Sequence, residues 1–284
     1  MKRIRIPMLI RTTALLFLGF ASATLTTAAP RSIHPVKPLA KAHAHNDYEH
    51  ERPLHDALSQ GFTSVEADVH LVGNELLVAH NARDVQASKT LQSLYLEPLQ
   101  NIIRENKGSV YSENSRFTLF IDIKTEGEET YQAIEAALEQ YKEILTSSTR
   151  VTSVEGPVTV IISGNRPRET MRAQNIRHTF YDGRLADLDT NSDARFIPII
   201  SDNWEKTFSW KGDGDMPSNE RAKLIEIVTK AHRNHQRVRF WATPDEPSTE
   251  RAAVWLELLH AGVDLINTDD LAGLKDFLIE NDRR

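Results

Sequence analysis

KAHAHNDYEHERPLHDALSQGFTSVEADVHLVGNELLVAHN (residues 41–81) and RFTLFIDIKTEG (residues 116–127) are the stretches whose reading decides the fold. In both, residues that carry chemistry sit two apart inside apolar runs. Successive side chains of a strand alternate faces. His43/His45, Glu66/Asp68 and Asp122/Lys124 are therefore same-face pairs on three strands. Val65, Ala67 and Val69 occupy the opposite face of the second strand. Two unpaired carboxylates are costly to bury in such surroundings. Their clustering asks for a divalent cation, and His45 with His80 asks for proton transfer.

Outward from these stretches the chain alternates apolar runs with helical patterns. Candidate strands cover residues 39–45, 63–71, 117–124, 158–163, 177–182, 196–201, 238–242 and 263–268. Between and after them, 53–60, 91–106, 128–145, 167–174, 218–234, 249–260 and 271–278 have helical periodicity. Eight strands interleaved with helices predict a single (β/α)8 TIM-type barrel of class α/β. Residues 69–80 predict a β-hairpin after strand 2, with Gly73-Asn74 at its turn. Residues 184–193 read as loop, and 204–217 as an excursion over one end of the barrel.

The first residues carry a different signal. Lys2, Arg3, Arg5 and Arg11 precede a short apolar run, ALLFLGFA at residues 14–21, and then small residues up to Ala29. This pattern predicts a signal peptide over 1–29 and leaves one barrel domain over 30–284. The implied location is exported, periplasmic or secreted. The apolar run is too short for a spanning helix, so no transmembrane span is expected in the mature chain. The whole chain has a net charge of −6, and removing the leader's four cations makes it more acidic still. Phosphate neutralisation needs Lys and Arg, so nucleic acid is excluded as a partner class. There is no cysteine, hence no disulfide framework.

In a barrel of this type the active site lies at the C-terminal ends of the strands. His45, Glu66, Asp68, Asp122 and Trp241 all fall near such ends. Glu66, Asp68 and Asp122 form an oxygen cage suited to Mg2+, with Ca2+ also compatible. His45 and His80 form an acid–base pair, and His43 is read as an orienting group beside the site. Lys124 is placed to stabilise phosphoryl charge or to pair with Asp122 or Glu66. Trp241 could line the substrate site, and Asn267 and Asp269 could shape its rim.

These motifs, in this order, resemble the phospholipase C-like phosphodiesterase superfamily, which includes glycerophosphodiester phosphodiesterases and the sphingomyelinase D group. Ala44-His45-Asn46-Asp47-Tyr48 stands at the first catalytic histidine, Glu66-Ala67-Asp68 at the acidic pair, and Leu77-Val78-Ala79-His80 at the second histidine. Asp122-Ile123-Lys124-Thr125 stands at the third metal ligand and its neighbouring lysine. Glycerophosphodiesterases usually have His-Arg-Gly at the first position, whereas Asn46 follows His45 here. The resemblance implies a metal-dependent phosphoric diester hydrolase. His45, His80 and Lys124 would be its catalytic residues, and Asn46 and Trp241 would meet a small-molecule or lipid phosphodiester. Two other classes fit the residues less well. One is a noncatalytic binder of phosphorylated head groups on the same barrel. The other is an amidohydrolase-like metal hydrolase built on His43-Ala44-His45. The sequence leaves the oligomeric state open.

Overall fold

A computed structural model describes residues 36–111, 115–190 and 193–282 of the chain. The signal-peptide reading of residues 1–29 lies outside the described residues. The strands are β1 (Leu39–Ala44), β2 (Phe62–Val72), β3 (Glu75–Val78), β4 (Phe117–Ile123), β5 (Ser147–Thr149) and β6 (Ser153–Val154). They continue with β7 (Val158–Gly164), β8 (Ile176–Arg177), β9 (Thr179–Gly183), β10 (Ile199–Asn203), β11 (Arg237–Trp241) and β12 (Leu265–Thr268). The α-helices are α1 (His55–Ser59), α2 (Glu97–Glu105), α3 (Gly127–Leu138), α4 (Arg168–Ala173), α5 (Trp204–Thr207), α6 (Ser218–Arg233), α7 (Thr249–Ala261) and α8 (Leu271–Asn281).

Eight strands close into one parallel ring in the order β1-β12-β11-β10-β9-β7-β4-β2, with β2 returning to β1. This is the predicted (β/α)8 barrel. Its order follows from right-handed crossovers, each helix bringing the chain back to add the next parallel strand. The helices bury one stripe each against the ring. In α6 that stripe is Leu224, Ile227, Val228 and Ala231, at helical spacing. Most of the apolar core lies between ring and helices. A separate small cluster, Phe120, Ile161, Phe180, Ile199 and Leu265, fills the lumen. It is the floor on which the polar mouth stands.

The hairpin also forms as expected. β2 runs on past the acids to Val72, turns at Gly73 with φ 62°, and pairs antiparallel with β3, Val69 opposite Val78. Glu66 and Asp68 thus lie within β2 rather than at its end. The 204–217 excursion is half right. It begins with α5, and Trp204, Phe208, Trp210 and Met216 are buried, so this segment belongs to the core as well as to the rim. Beside the ring, β6, β5 and β8 form a separate antiparallel sheet.

Candidate functional site

Register fixes which side chains share the mouth. Asp68 stands opposite Asp122 across β2 and β4, and Asp122 opposite Ser163 across β4 and β7. His43 stands opposite Ser64, two residues before Glu66. Alternation then turns His43, Glu66, Asp68 and Asp122 into the lumen, as the strand spacing predicts. Glu66, Asp68 and Asp122 each present an oxygen within 4.8 Å of the other two. Gly164, at φ 66°, makes room for this. A Cβ built there would fall 2.3 Å from Asp122 Oδ1.

The three acids are crowded, and chain cations answer them. Lys124 Nζ lies 3.0 Å from Asp68 Oδ2 and 3.2 Å from Asp122 Oδ1. Of its two expected partners, Asp122 or Glu66, it takes Asp122, because Glu66 is held elsewhere. Arg239 Nη1 donates to Glu66 Oε2 at 2.6 Å and to His43 Nε2 at 2.5 Å. Burial opposes ionisation of Glu66, but the Arg239 charge overrides it and holds the carboxyl well below its usual range. Asp122 has no such partner. Burial and the Glu66 charge push it up to about 6, against the pull of Lys124. Asp68 is raised for the same reasons, burial first. Asp68 Oδ1 is buried with no hydrogen-bond partner, while Oδ2 takes every contact that reaches this carboxylate. An orphaned carboxylate oxygen among three clustered acids fits a hard divalent cation with oxygen ligands.

His43 is fully buried. Its Nδ1 sits 2.7 Å from Ser64 Oγ, and its ring packs edge-on against Phe120 with centroids 5.0 Å apart. Burial and then the Arg239 charge lower its pKa to about 4, so it is neutral. A neutral ring that donates through Nδ1 accepts from Arg239 through Nε2. His43 therefore braces Arg239 and Glu66 from below and does not itself face the mouth.

His45 and His80 stand higher and are open to solvent, with side chains 30% and 53% exposed. Each is gripped at Nδ1. His45 Nδ1 lies 2.9 Å from Asp269 Oδ1, and His80 Nδ1 lies 3.1 Å from Asp68 Oδ2. A carboxylate at Nδ1 fixes the tautomer and leaves Nε2 for chemistry. For His45, burial works against the proton, but the Asp269 bond and the Glu66 and Asp269 charges outweigh it and raise the pKa.

The His-Asn-Asp-Tyr run has a task for each residue. Asn46 takes the left-handed turn at φ 46°, and its Nδ2 approaches His45 Nδ1 at 3.0 Å. Buried Asp47 accepts from Leu54 N at 2.6 Å and from Tyr95 Oη at 2.9 Å, tying down the loop that follows β1. Tyr48 Oη lies 2.7 Å from both Asn46 Oδ1 and Asp68 Oδ2, and 3.3 Å from His80 Nδ1. One hydroxyl thus links the surroundings of both histidines to an acid of the cage. Asn46 was expected at the substrate. The structure places it in this supporting chain, at the edge of the mouth.

Trp241 shares the inward face of Arg239, two residues on, and lies half-buried where β11 ends. Sequence reading missed Arg239 and the Tyr48 hub. The signal for Arg239 was its parity with Trp241 inside an apolar strand, where an inward charge needs a partner. On the far side of the lumen, Ser163 Oγ donates to fully buried Asp182 at 2.7 Å, and Arg184 closes on the same oxygen at 2.7 Å.

Comparison with known proteins places this geometry. The profile of the AIM6-like phosphodiesterase domain matches residues 28–182, and that of the glycerophosphoryl diester phosphodiesterase family matches residues 237–272. The altered inheritance of mitochondria protein 6 homolog of Arthroderma benhamiae is 32% identical, over 88% of this chain and 86% of that protein. Altered inheritance of mitochondria protein 6 of Eremothecium gossypii is 30% identical, over 88% and 72%. A glycerophosphoryl diester phosphodiesterase crystal structure from Parabacteroides distasonis superposes with TM-score 0.51 at 13% identity, over 86% of this chain and 87% of that one, a likeness of fold. The relatives' names correct one expectation. Those names tie the relatives to the inheritance of mitochondria, which overturns the reading of this chain as exported, periplasmic or secreted. No helix among the described residues is long and apolar enough to cross a membrane.

Proposed function

The chain belongs to the AIM6-like phosphodiesterase family, within the glycerophosphodiester phosphodiesterase-like superfamily, and from that premise we propose that it hydrolyses a phosphodiester with the help of a divalent cation. The observation that carries the reading is the pairing of the acid cage with two imidazoles, each clamped at Nδ1 by a carboxylate. A pure binder of head groups has no use for two oriented proton carriers. A His-x-His metal pair is disfavoured too, since His43 is buried under Arg239 and its ring nitrogens are both engaged.

Glu66, Asp68 and Asp122 would hold the cation, with Mg2+ preferred on donor type and Ca2+ compatible. When bound it supplies Lewis-acid stabilisation of charge on the phosphoryl oxygens. The chain's own residues do the rest. His45 Nε2 takes the proton from the attacking hydroxyl, and Asp269 stabilises the imidazolium that forms. His80 Nε2 protonates the leaving oxygen. Lys124 adds positive charge beside the cage. The attacking hydroxyl is either water or a neighbouring group on the substrate, which would give a cyclic phosphate.

The test is a panel of glycerophosphodiesters, lysophospholipids, sphingomyelin and phosphatidylinositol, incubated with Mg2+ or Ca2+ and read by phosphorus NMR. Turnover should vanish with chelator and return with cation. Turnover that survives exhaustive chelation removes the cage from the mechanism.

A further inference from the structure

The opposite end of the barrel holds charge of the other sign. β5 precedes the start of β7, β8 precedes β9, and Phe196 precedes β10. These segments therefore gather at the N-terminal ends of the strands, away from the acids. A cavity of about 600 Å3 opens there, lined by Arg150, Arg172, Arg177 and Arg195, with Glu169 and Asp193 its acids. Arg195 pairs with Asp193. Among the described residues no carboxylate comes within 4.0 Å of Arg150, Arg172 or Arg177. Three guanidiniums without a close ion pair thus share one cavity on a chain whose net charge is −6, with the charges of Asp193 and Glu135 acting on Arg177 only from beyond 4.0 Å.

They are also held in place. Arg172 and Arg177 lie over the Phe196 ring, 5.3 and 5.1 Å from its centre. Arg177 is only 4% exposed. One of its nitrogens donates to the Arg195 carbonyl at 2.8 Å, and its buried Nε has no partner at all. Arg150 reaches the Ala173 carbonyl only at 3.5 Å. A buried cation with an idle donor and like-charged neighbours is costly unless an anion meets it. A guanidinium fork matches phosphate oxygens, and a phosphate monoester offers three of them. A single carboxylate would satisfy one arginine and leave the others facing each other.

We propose that this cavity binds a phosphate-bearing small molecule at a site separate from the acid-lined mouth. Its volume falls in the ordinary range for ligand sites and exceeds what a bare phosphate fills, so the ligand carries an organic part. Phe196 and the arginine stems offer apolar surface for it. The site does not depend on the hydrolase reading.

The test is calorimetric titration of the full chain with inorganic phosphate and with glycerol phosphate, in chelator so that no cation bridges phosphate to the mouth. A parallel arm floats the protein with phosphatidylcholine vesicles, with and without phosphatidic acid, to separate a lipid source from a free one. Saturable binding is expected, tighter for glycerol phosphate than for inorganic phosphate. It should weaken about tenfold or more in Arg177→Gln. The exposed pair Arg150→Gln/Arg172→Gln should do the same and guards against a folding defect at Arg177. Asp122→Asn should bind like wild type. Vesicle binding that requires phosphatidic acid and is lost in the rim pair supports the site with a lipid source. Absence of binding in every arm, binding that survives the rim pair, or loss in Asp122→Asn overturns the proposal.

Discussion

The two ends of this barrel treat crowded charge in opposite ways. At the C-terminal mouth, three acids meet two chain cations, and Arg239 alone serves both Glu66 and His43. At the N-terminal end, three arginines have no carboxylate within 4.0 Å among the described residues, and the charges of Asp193 and Glu135 reach Arg177 only from farther off. The difference is in what each end is built to hold. The mouth is braced from within, and within its acid cluster Asp68 Oδ1 is buried without a partner. The base is held by stacking and backbone carbonyls, which leave its charge unspent. Removal of a brace should hurt the first far more than the second.

Four measurements press on that contrast. The largest effect belongs to the histidines. His45→Ala and His80→Ala should each lower turnover by about 10²–10⁴ with circular dichroism unchanged, the usual worth of a positioned acid or base. Near-normal turnover in both would detach the mouth from the chemistry. Next comes Arg239→Met. It strands a buried Glu66 and removes the donor to His43, so unfolding stability should drop by about 3–5 kcal/mol in denaturant titration. A drop of less than about 1 kcal/mol would show that the brace is ornamental.

The third effect is a pH dependence. Burial pushes Asp47 up to about 6, despite its bonds from Leu54 N and Tyr95. Its folded value thus lies above the ordinary 3.8, so its contribution is complete below pH 4 and is lost as pH rises through 6. The loss is on the order of 2–3 kcal/mol. Asp47→Asn should flatten the stability curve over that window, and parallel curves for the two proteins would clear Asp47 as the source. The smallest effect is expected at the base. Arg177→Met in phosphate-free buffer should change stability by less than about 1 kcal/mol, since an unpaired buried charge leaves with the lost contacts. A cost as large as that of Arg239→Met would erase the contrast.

The fold was largely legible in the sequence because its signals are local. Alternation placed Glu66, Asp68, Asp122 and His43 inward, and Gly73-Asn74 marked the turn that carries His80. What was illegible is long-range. Nothing in the order of residues says that Arg239 reaches Glu66 across the lumen, or that Asp269 comes round to His45 when β12 closes on β1. Tyr48 was visible as part of a motif, but its position between Asn46, Asp68 and His80 is a product of ring closure. The leader over residues 1–29 lies outside the described residues, and what the relatives' names overturn is the location read from it.

The two imidazoles are anchored to different kinds of architecture. His45 follows a strand paired on both sides in the closed ring, whereas His80 follows β3, which pairs fully with β2 and touches Thr90 by a single bridge on its other edge. Local opening is cheapest where few neighbours hold the backbone. Amides of β3 should therefore exchange with solvent sooner than those of β1, and mild warming should detach one proton carrier while the cylinder stays shut. Thermal inactivation would then precede melting, with the lifetime of the ribbon setting the working temperature.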